Sequence, residues 1–294
     1  MMLDLIIFLL FFYFCLFSVL GYGLIFQNLF YTEFIKKKRN LDLSLNGFYG
    51  LTLITIISFV TSFFFAHGFI HNVFLHFVGF SYFFFFSNIK KIRYIKYLFT
   101  ISLLVLSGLL ISKTHDDFSY YHLPFTKYLT EHHIIFGMGH LNLGYNFISS
   151  LFFLNSSFYL PIINYFSFHF SNLYFLIFFN YFLIENLLIK KNKKFINSLC
   201  LIAFIFFNLS FNRISEYGTD KVGQLLIVLL VISLIRIILF EFKTNKIYQV
   251  LLLLPLLGFC ITLKTYFVSY IMLSFSLLLI STSIKKDFKS IINS

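Results

Sequence analysis

The chain has 294 residues, 59% of them hydrophobic and only 12% charged, far above the apolar share of about 45–50% found in soluble domains, which excludes a soluble protein. Its formal charge of +12 sits in short runs of lysine and arginine beside apolar stretches, where it orients helices and meets anionic headgroups, and this excludes nucleic acid as a partner. The apolar runs show no alternation at the roughly ten-residue scale of a transmembrane barrel strand, so the fold class is an all-α integral membrane protein.

The first apolar run, 5 to 27, has no basic region before it and no small-residue cleavage site, and reads as a retained helix. Five basic runs follow along the chain, at 36–39, 90–96, 190–194, 243–246 and 285–289, and hold 17 of the 23 lysines and arginines. Short loops on the cytoplasmic side are enriched in these residues. Placing all five runs there requires nine crossings, at 5–27, 47–66, 71–87, 97–112, 166–189, 196–212, 223–240, 247–261 and 266–284, with the N-terminus outside and the C-terminus in the cytoplasm. The chain then forms one polytopic membrane domain: 1–112 with four helices, an outer acidic loop at 113–165, and 166–294 with five helices. Cys15, Cys200 and Cys260 all fall in apolar segments without CxxC spacing and read as small core residues.

The loop at 113–165 is the only long polar segment, and a loop this long in a compact membrane protein usually carries function. Asp116 and Asp117 open it at the outer interface, where carboxylates can take a proton from a hydroxyl or hold a divalent cation, Mg or Mn, against a phosphate. The competing reading has Asp116 capping a helix from Phe118 to about His132, although a cap does not need two adjacent acids. The run from Phe147 to Leu160 is apolar, yet a crossing there would break the lysine pattern. It reads instead as part of a second interfacial helix, 145–160, with Asn155, Ser156 and Ser157 facing headgroups. Between the two helices, Gly137-Met138-Gly139-His140 forms a turn. Seven of the nine histidines, at 67, 71, 115, 122, 132, 133 and 140, fall on this side of the membrane. Phosphate binding or proton handling suits one of them better than zinc, for which no ligand signature is present.

Two further polar islands reach the same face. Arg213-Ile-Ser-Glu216-Tyr-Gly-Thr-Asp220-Lys221 precedes the seventh crossing, and Lys264 follows Ile-Thr-Leu between the eighth and ninth. Lys264 either faces a water-filled cavity or an anion, or snorkels to headgroups. Asp220 either joins a site or caps the seventh helix. Acids at 116, 117 and 220 with cations at 213 and 264, all at one membrane level, have the composition expected of a site for a phosphorylated lipid.

The strings Asp117-Phe-Ser-Tyr-Tyr-His-Leu-Pro124, Lys127-Tyr-Leu-Thr-Glu131, Gly137-Met-Gly-His-Leu-Asn142 and Asn146-Phe-Ile-Ser-Ser150, with weaker matches at 215–220 and 262–264, resemble a group of uncharacterised bacterial polytopic membrane proteins. These in turn look like the GT-C superfamily of membrane glycosyltransferases. The resemblance covers about 100–270, and its specific part is 116–150. It departs from the pattern at Leu143-Gly144-Tyr145, where the related proteins commonly carry an arginine, and in having four crossings before the acidic loop. The resemblance implies a bacterial inner membrane enzyme that transfers a sugar from a polyprenyl-phosphate donor to a glycan or lipid acceptor. Asp116 or Asp117 would be the general base, and Lys264, Arg213 or a loop histidine would hold the donor phosphate. The candidate site thus comprises Asp116 and Asp117 as catalytic acids, with His115, Tyr121, His122, His140, Asn142, Arg213, Glu216, Asp220 and Lys264 binding substrate. The alternatives are a non-catalytic scaffold or partner in envelope polysaccharide assembly, and a transporter of lipid-linked glycan.

Overall fold

The computed structural model describes residues 2–30, 42–87, 95–110, 116–146, 148–190, 194–210, 219–240 and 246–272. Most of the basic runs, and the ninth expected crossing beyond Met272, lie outside the described residues. Within them all regular structure is helical. Four helices are long and apolar enough to cross a membrane, at Leu3–Phe30, Leu43–Thr61, Phe69–Phe86 and Asn164–Leu188, and three shorter apolar helices occupy Ile95–Leu109, Lys194–Ser210 and Leu251–Leu263.

Helices α2 (Leu43–Thr61) and α3 (Phe69–Phe86) each pack tightly against α1 (Met2–Phe30). Glycine permits this closeness: a Cβ on Gly21 would strike the carbonyl of Gly79, and one on Gly50 would strike the carbonyl of Val19. Small residues at helix contacts let backbones approach, and dispersion then does the work that water expulsion does elsewhere. Helix α4 (Ile95–Leu106) precedes the loop 116–146, which contains a wide helical turn, Phe118–His122, continued by α5 (Leu123–Glu131). Pro124 sits in the first turn of α5, where its missing N–H costs nothing.

Helix α6 (Ser150–Ser157) corrects the expectation of a second interfacial helix. It is eight residues long, and Leu151 to Ser157 are all buried, with Asn155, Ser156 and Ser157 fully enclosed and not facing headgroups. Its C-terminal carbonyls lack partners within the helix, and α3 supplies donors. Asn72 Nδ2 lies 2.9 Å from the Ser156 carbonyl and 2.8 Å from that of Tyr159. One helical turn on, His76 Nε2 donates to the Ser157 carbonyl at 3.0 Å. The polar residues of this stretch are internal glue.

Helix α7 (Phe170–Ile184) is the centre of the bundle, buried on every side from Phe170 to Leu183. That enclosure explains why it is apolar all round. Helix α8 (Lys194–Ser210) is tied to it by paired amides, Asn180 and Asn208, at 2.9 and 2.8 Å. Helices α9 (Thr219–Phe240) and α10 (Lys246–Leu263) pack together, and α10 also meets α2, where the Tyr49 hydroxyl donates to the Leu252 carbonyl at 2.6 Å. The turn at 62–68, the loop 116–146, the start of α9 and the end of α10 share one end of the bundle. The turn and loop are joined there by backbone bonds from His67 N to Leu129 O (2.7 Å) and Ile134 N to Ser62 O (2.8 Å). At the opposite end, Lys190 bridges Asp42 (3.3 Å) and Glu185 (3.1 Å).

Candidate functional site

Asp220 lies in the first turn of α9, where the helix dipole favours a carboxylate. Lys264 follows the last residue of α10 in extended conformation, with φ −153° and ψ 129°. Its Nζ stands 3.2 Å from Asp220 Oδ1. Tyr266, two residues on, brings its phenol beside the same carboxylate. Because both charged side chains remain in part exposed, the pair stabilises the fold by about 0–1 kcal/mol at most. Stability therefore does not account for a lysine and an aspartate at the end of two apolar helices.

Tyr121 connects this pair to the loop 116–146. Its phenol pKa is raised, first by burial and then by the negative charges of Asp117 and Asp220. Both carboxylates thus act on one hydroxyl. The ring of Tyr121 rests on Gly144, whose Cβ, if present, would lie 2.6 Å from Tyr121 Cγ. Asp117 immediately precedes the Phe118–His122 turn, and its side chain makes no capping bond. Asp116 is exposed, and its carbonyl accepts from the Ser119 hydroxyl at 3.3 Å.

The other candidates divide clearly. Asn142 braces the loop, donating to the Tyr120 carbonyl (3.2 Å) and accepting from Gly144 N (2.8 Å). His122 is buried, with its ring 4.4 Å from Tyr121 and 4.9 Å from Phe152, so it belongs to the small loop core and not to a substrate surface. His140 is exposed on a separate pocket of about 320 Å³, together with Tyr145 and Asn146. His115, Arg213 and Glu216 lie outside the described residues.

The histidines at the turn between α2 and α3 have a structural task. His67 Nδ1 pairs with Ser156 Oγ at 2.6 Å, and His71 Nε2 with Thr61 Oγ1 at 3.1 Å; the two rings stack at 4.8 Å. Burial pushes the His67 pKa down to about 3. Among the described residues no three His, Cys, Asp or Glu side chains gather as a metal site. The Lys264 ammonium already occupies Asp220, so the described donors do not make a site for Mg or Mn.

Sequence reading missed Tyr266, although its position two residues after Lys264 in a polar interruption was a usable signal. It also missed a cleft of about 1000 Å³ between α2 and α10, lined by apolar residues that local sequence gives no reason to set apart from lipid-facing ones.

The fold and this end of it define a helical membrane protein with a charged cluster where its loops meet the bundle. The chain belongs to the family described as a domain of unknown function, DUF8201, whose model matches residues 2–294. No curated protein and no solved structure matches it.

Proposed function

We propose that the protein is a membrane glycosyltransferase of GT-C type, with nine crossings and with the Asp117, Tyr121, Asp220 and Lys264 cluster on the outer face of a bacterial inner membrane. The donor is a polyprenyl-phosphate-linked sugar and the acceptor a hydroxyl of an envelope glycan or lipid. The observation that carries the reading is the Lys264–Asp220 contact at 3.2 Å beside a phenol that also feels Asp117. It supports a reading in which one carboxylate takes a proton and the lysine receives a phosphate.

In the reaction, the acceptor oxygen attacks the anomeric carbon as the bond from that carbon to the phosphate oxygen breaks. The bonding pair leaves with the phosphate, and the acceptor proton passes to the Asp117 carboxylate. Lys264 neutralises the charge that develops on the leaving phosphate. Asp220 and Tyr266 hold the ammonium in position until the phosphate competes for it. No step is routed through a metal. Purified protein in lipid nanodiscs, given a polyprenyl-phosphate sugar and a lipid acceptor, is expected to release polyprenyl phosphate, and Asp117→Asn to stop that release while leaving the protein folded. Release at an unchanged rate in Asp117→Asn removes this residue from the reaction.

A further inference from the structure

The cleft between α2 and α10 does not belong to the charged cluster. It runs from Phe26 and Leu251 at one end to Ser150 and Thr262 at the other. Its few hydroxyls are engaged within the protein: Thr52 donates to the Phe48 carbonyl (2.8 Å), Thr55 to that of Leu51 (2.7 Å), Thr262 to that of Phe259 (2.8 Å), and Ser150 pairs with the Thr262 hydroxyl (2.9 Å). The methyl groups are left as lining. Its width comes from α10, where Gly258 presents no side chain and a Cβ built there meets nothing within 4 Å. An apolar trough open along membrane-spanning helices fits a lipid chain.

At the loop end the trough continues into the 320 Å³ pocket around Gly137 to Asn146, because Ile134 and Ile148 line both. There the chemistry changes. The pocket presents the imidazole of His140, the phenol of Tyr145, the amide of Asn146 and the backbone at Gly137, which turns with φ +89°. No lysine, arginine, aspartate or glutamate lines it among the described residues. A phenol, an amide and an imidazole suit hydroxyls, whereas the strongest phosphate partners, arginine and lysine, do not line the pocket among the described residues.

We infer that the trough and pocket together seat one amphiphile, with its chain between α2 and α10 and an uncharged, hydroxyl-bearing head against His140, Tyr145 and Asn146. Lipid capture stands on the two cavities alone. The seat is separate from the proposed transfer, whose base, Asp117, does not line it.

The test uses the full chain in nanodiscs with two photoactivatable lipids bearing the same diazirine-labelled chains, a glucosyl diacylglycerol and a phosphatidylglycerol. The glucosyl lipid is expected to label peptides of α2 and α10, with a preference over the anionic lipid of about tenfold, the effect of one or two net hydrogen bonds. Gly258→Leu, which fills open space with a better helix former, is expected to cut that labelling about tenfold without lowering the melting temperature. Ile56→Trp fills the trough from the other wall and should do the same. Asn146→Ala should erase the preference and keep the label. Label indifferent to both filling variants, or absent because another part of the chain or a second copy fills the trough, overturns the lipid seat. Equal labelling by the two lipids overturns the uncharged head. Asp117→Asn should stop transfer yet leave labelling intact, so failure of the reaction and failure of the seat are read separately.

Discussion

Lys264 and Asp220 stand 3.2 Å apart at the meeting of α9 and α10, 44 residues from each other in sequence and both in part exposed. An exposed pair of this kind does little for stability, and a lysine at the end of an apolar helix carries a cost of its own. In the proposed reaction the pair holds an anion. Lys264→Met is expected to lower transfer about 10²- to 10³-fold, the loss seen when a group facing developing negative charge is removed. Lys264→Arg should retain more activity than Lys264→Met, and both should keep the wild-type melting temperature in detergent.

The two neighbouring aspartates should behave differently. Asp117 shares Tyr121 with Asp220, whereas Asp116 is exposed at the start of the loop. Asp117→Asn is expected to lose about 10²- to 10⁴-fold in the transfer rate, the range for a missing general base, and Asp116→Asn less than tenfold. Steady-state release of polyprenyl phosphate from matched protein amounts checks both. An equal loss in the two variants would reassign the base.

Much of the bundle was legible in the apolar runs. The helices at Met2–Phe30, Leu43–Thr61, Phe69–Phe86 and Phe170–Ile184 lie on segments that hydropathy and lysine spacing had already marked. The Lys264 and Asp220 candidates were legible as polar interruptions of such runs, because a charge there is costly enough to demand a reason. Helix α6 was not legible. Its Asn155, Ser156 and Ser157 look like a headgroup-facing edge until Asn72 and His76 are seen to cover them, and that pairing spans more than 80 residues. The same blindness made His122 a substrate-binding candidate, since burial against Phe152 depends on the loop folding back on itself. The cleft was invisible because its lining is chemically indistinguishable from any lipid-facing helix surface.

The α3 clamp on α6 carries a stability prediction. Asn72 Nδ2 reaches the carbonyls of His67, Ser156 and Tyr159 at 2.8 to 2.9 Å. Asn72→Ala takes the side-chain donor from the His67 and Tyr159 carbonyls, while that of Ser156 keeps the Tyr159 amide at 3.1 Å, and should destabilise the protein by about 1–3 kcal/mol. Asn142→Ala, on the exposed loop, should cost less than about 1 kcal/mol. Thermal unfolding in detergent compares the two.

Acid should weaken the same region. His67 is held neutral, with its pKa down at about 3 against 6.5 in the unfolded chain. Between those values the unfolded chain binds the extra proton, so stability is retained above pH 6.5 and falls as pH drops through the window. The slope is about 1.4 kcal/mol per pH unit for one such group. The melting temperature should therefore fall by a few degrees between pH 7.5 and 5.5, at about 2–4 °C per kcal/mol. In His67→Gln the slope should be shallower, at the cost of a lower melting temperature at pH 7.5. A slope unchanged by the substitution would assign the acid sensitivity elsewhere.

The most direct test is turnover by the purified protein in nanodiscs, with a polyprenyl-phosphate sugar, a neutral glycolipid acceptor and no other protein. Release of polyprenyl phosphate together with a glycosylated acceptor, lost at least about 100-fold in both Asp117→Asn and Lys264→Met at unchanged melting temperature, is the predicted result. Turnover that survives in both variants, or a wild-type protein that binds these lipids and transfers nothing, would contradict it.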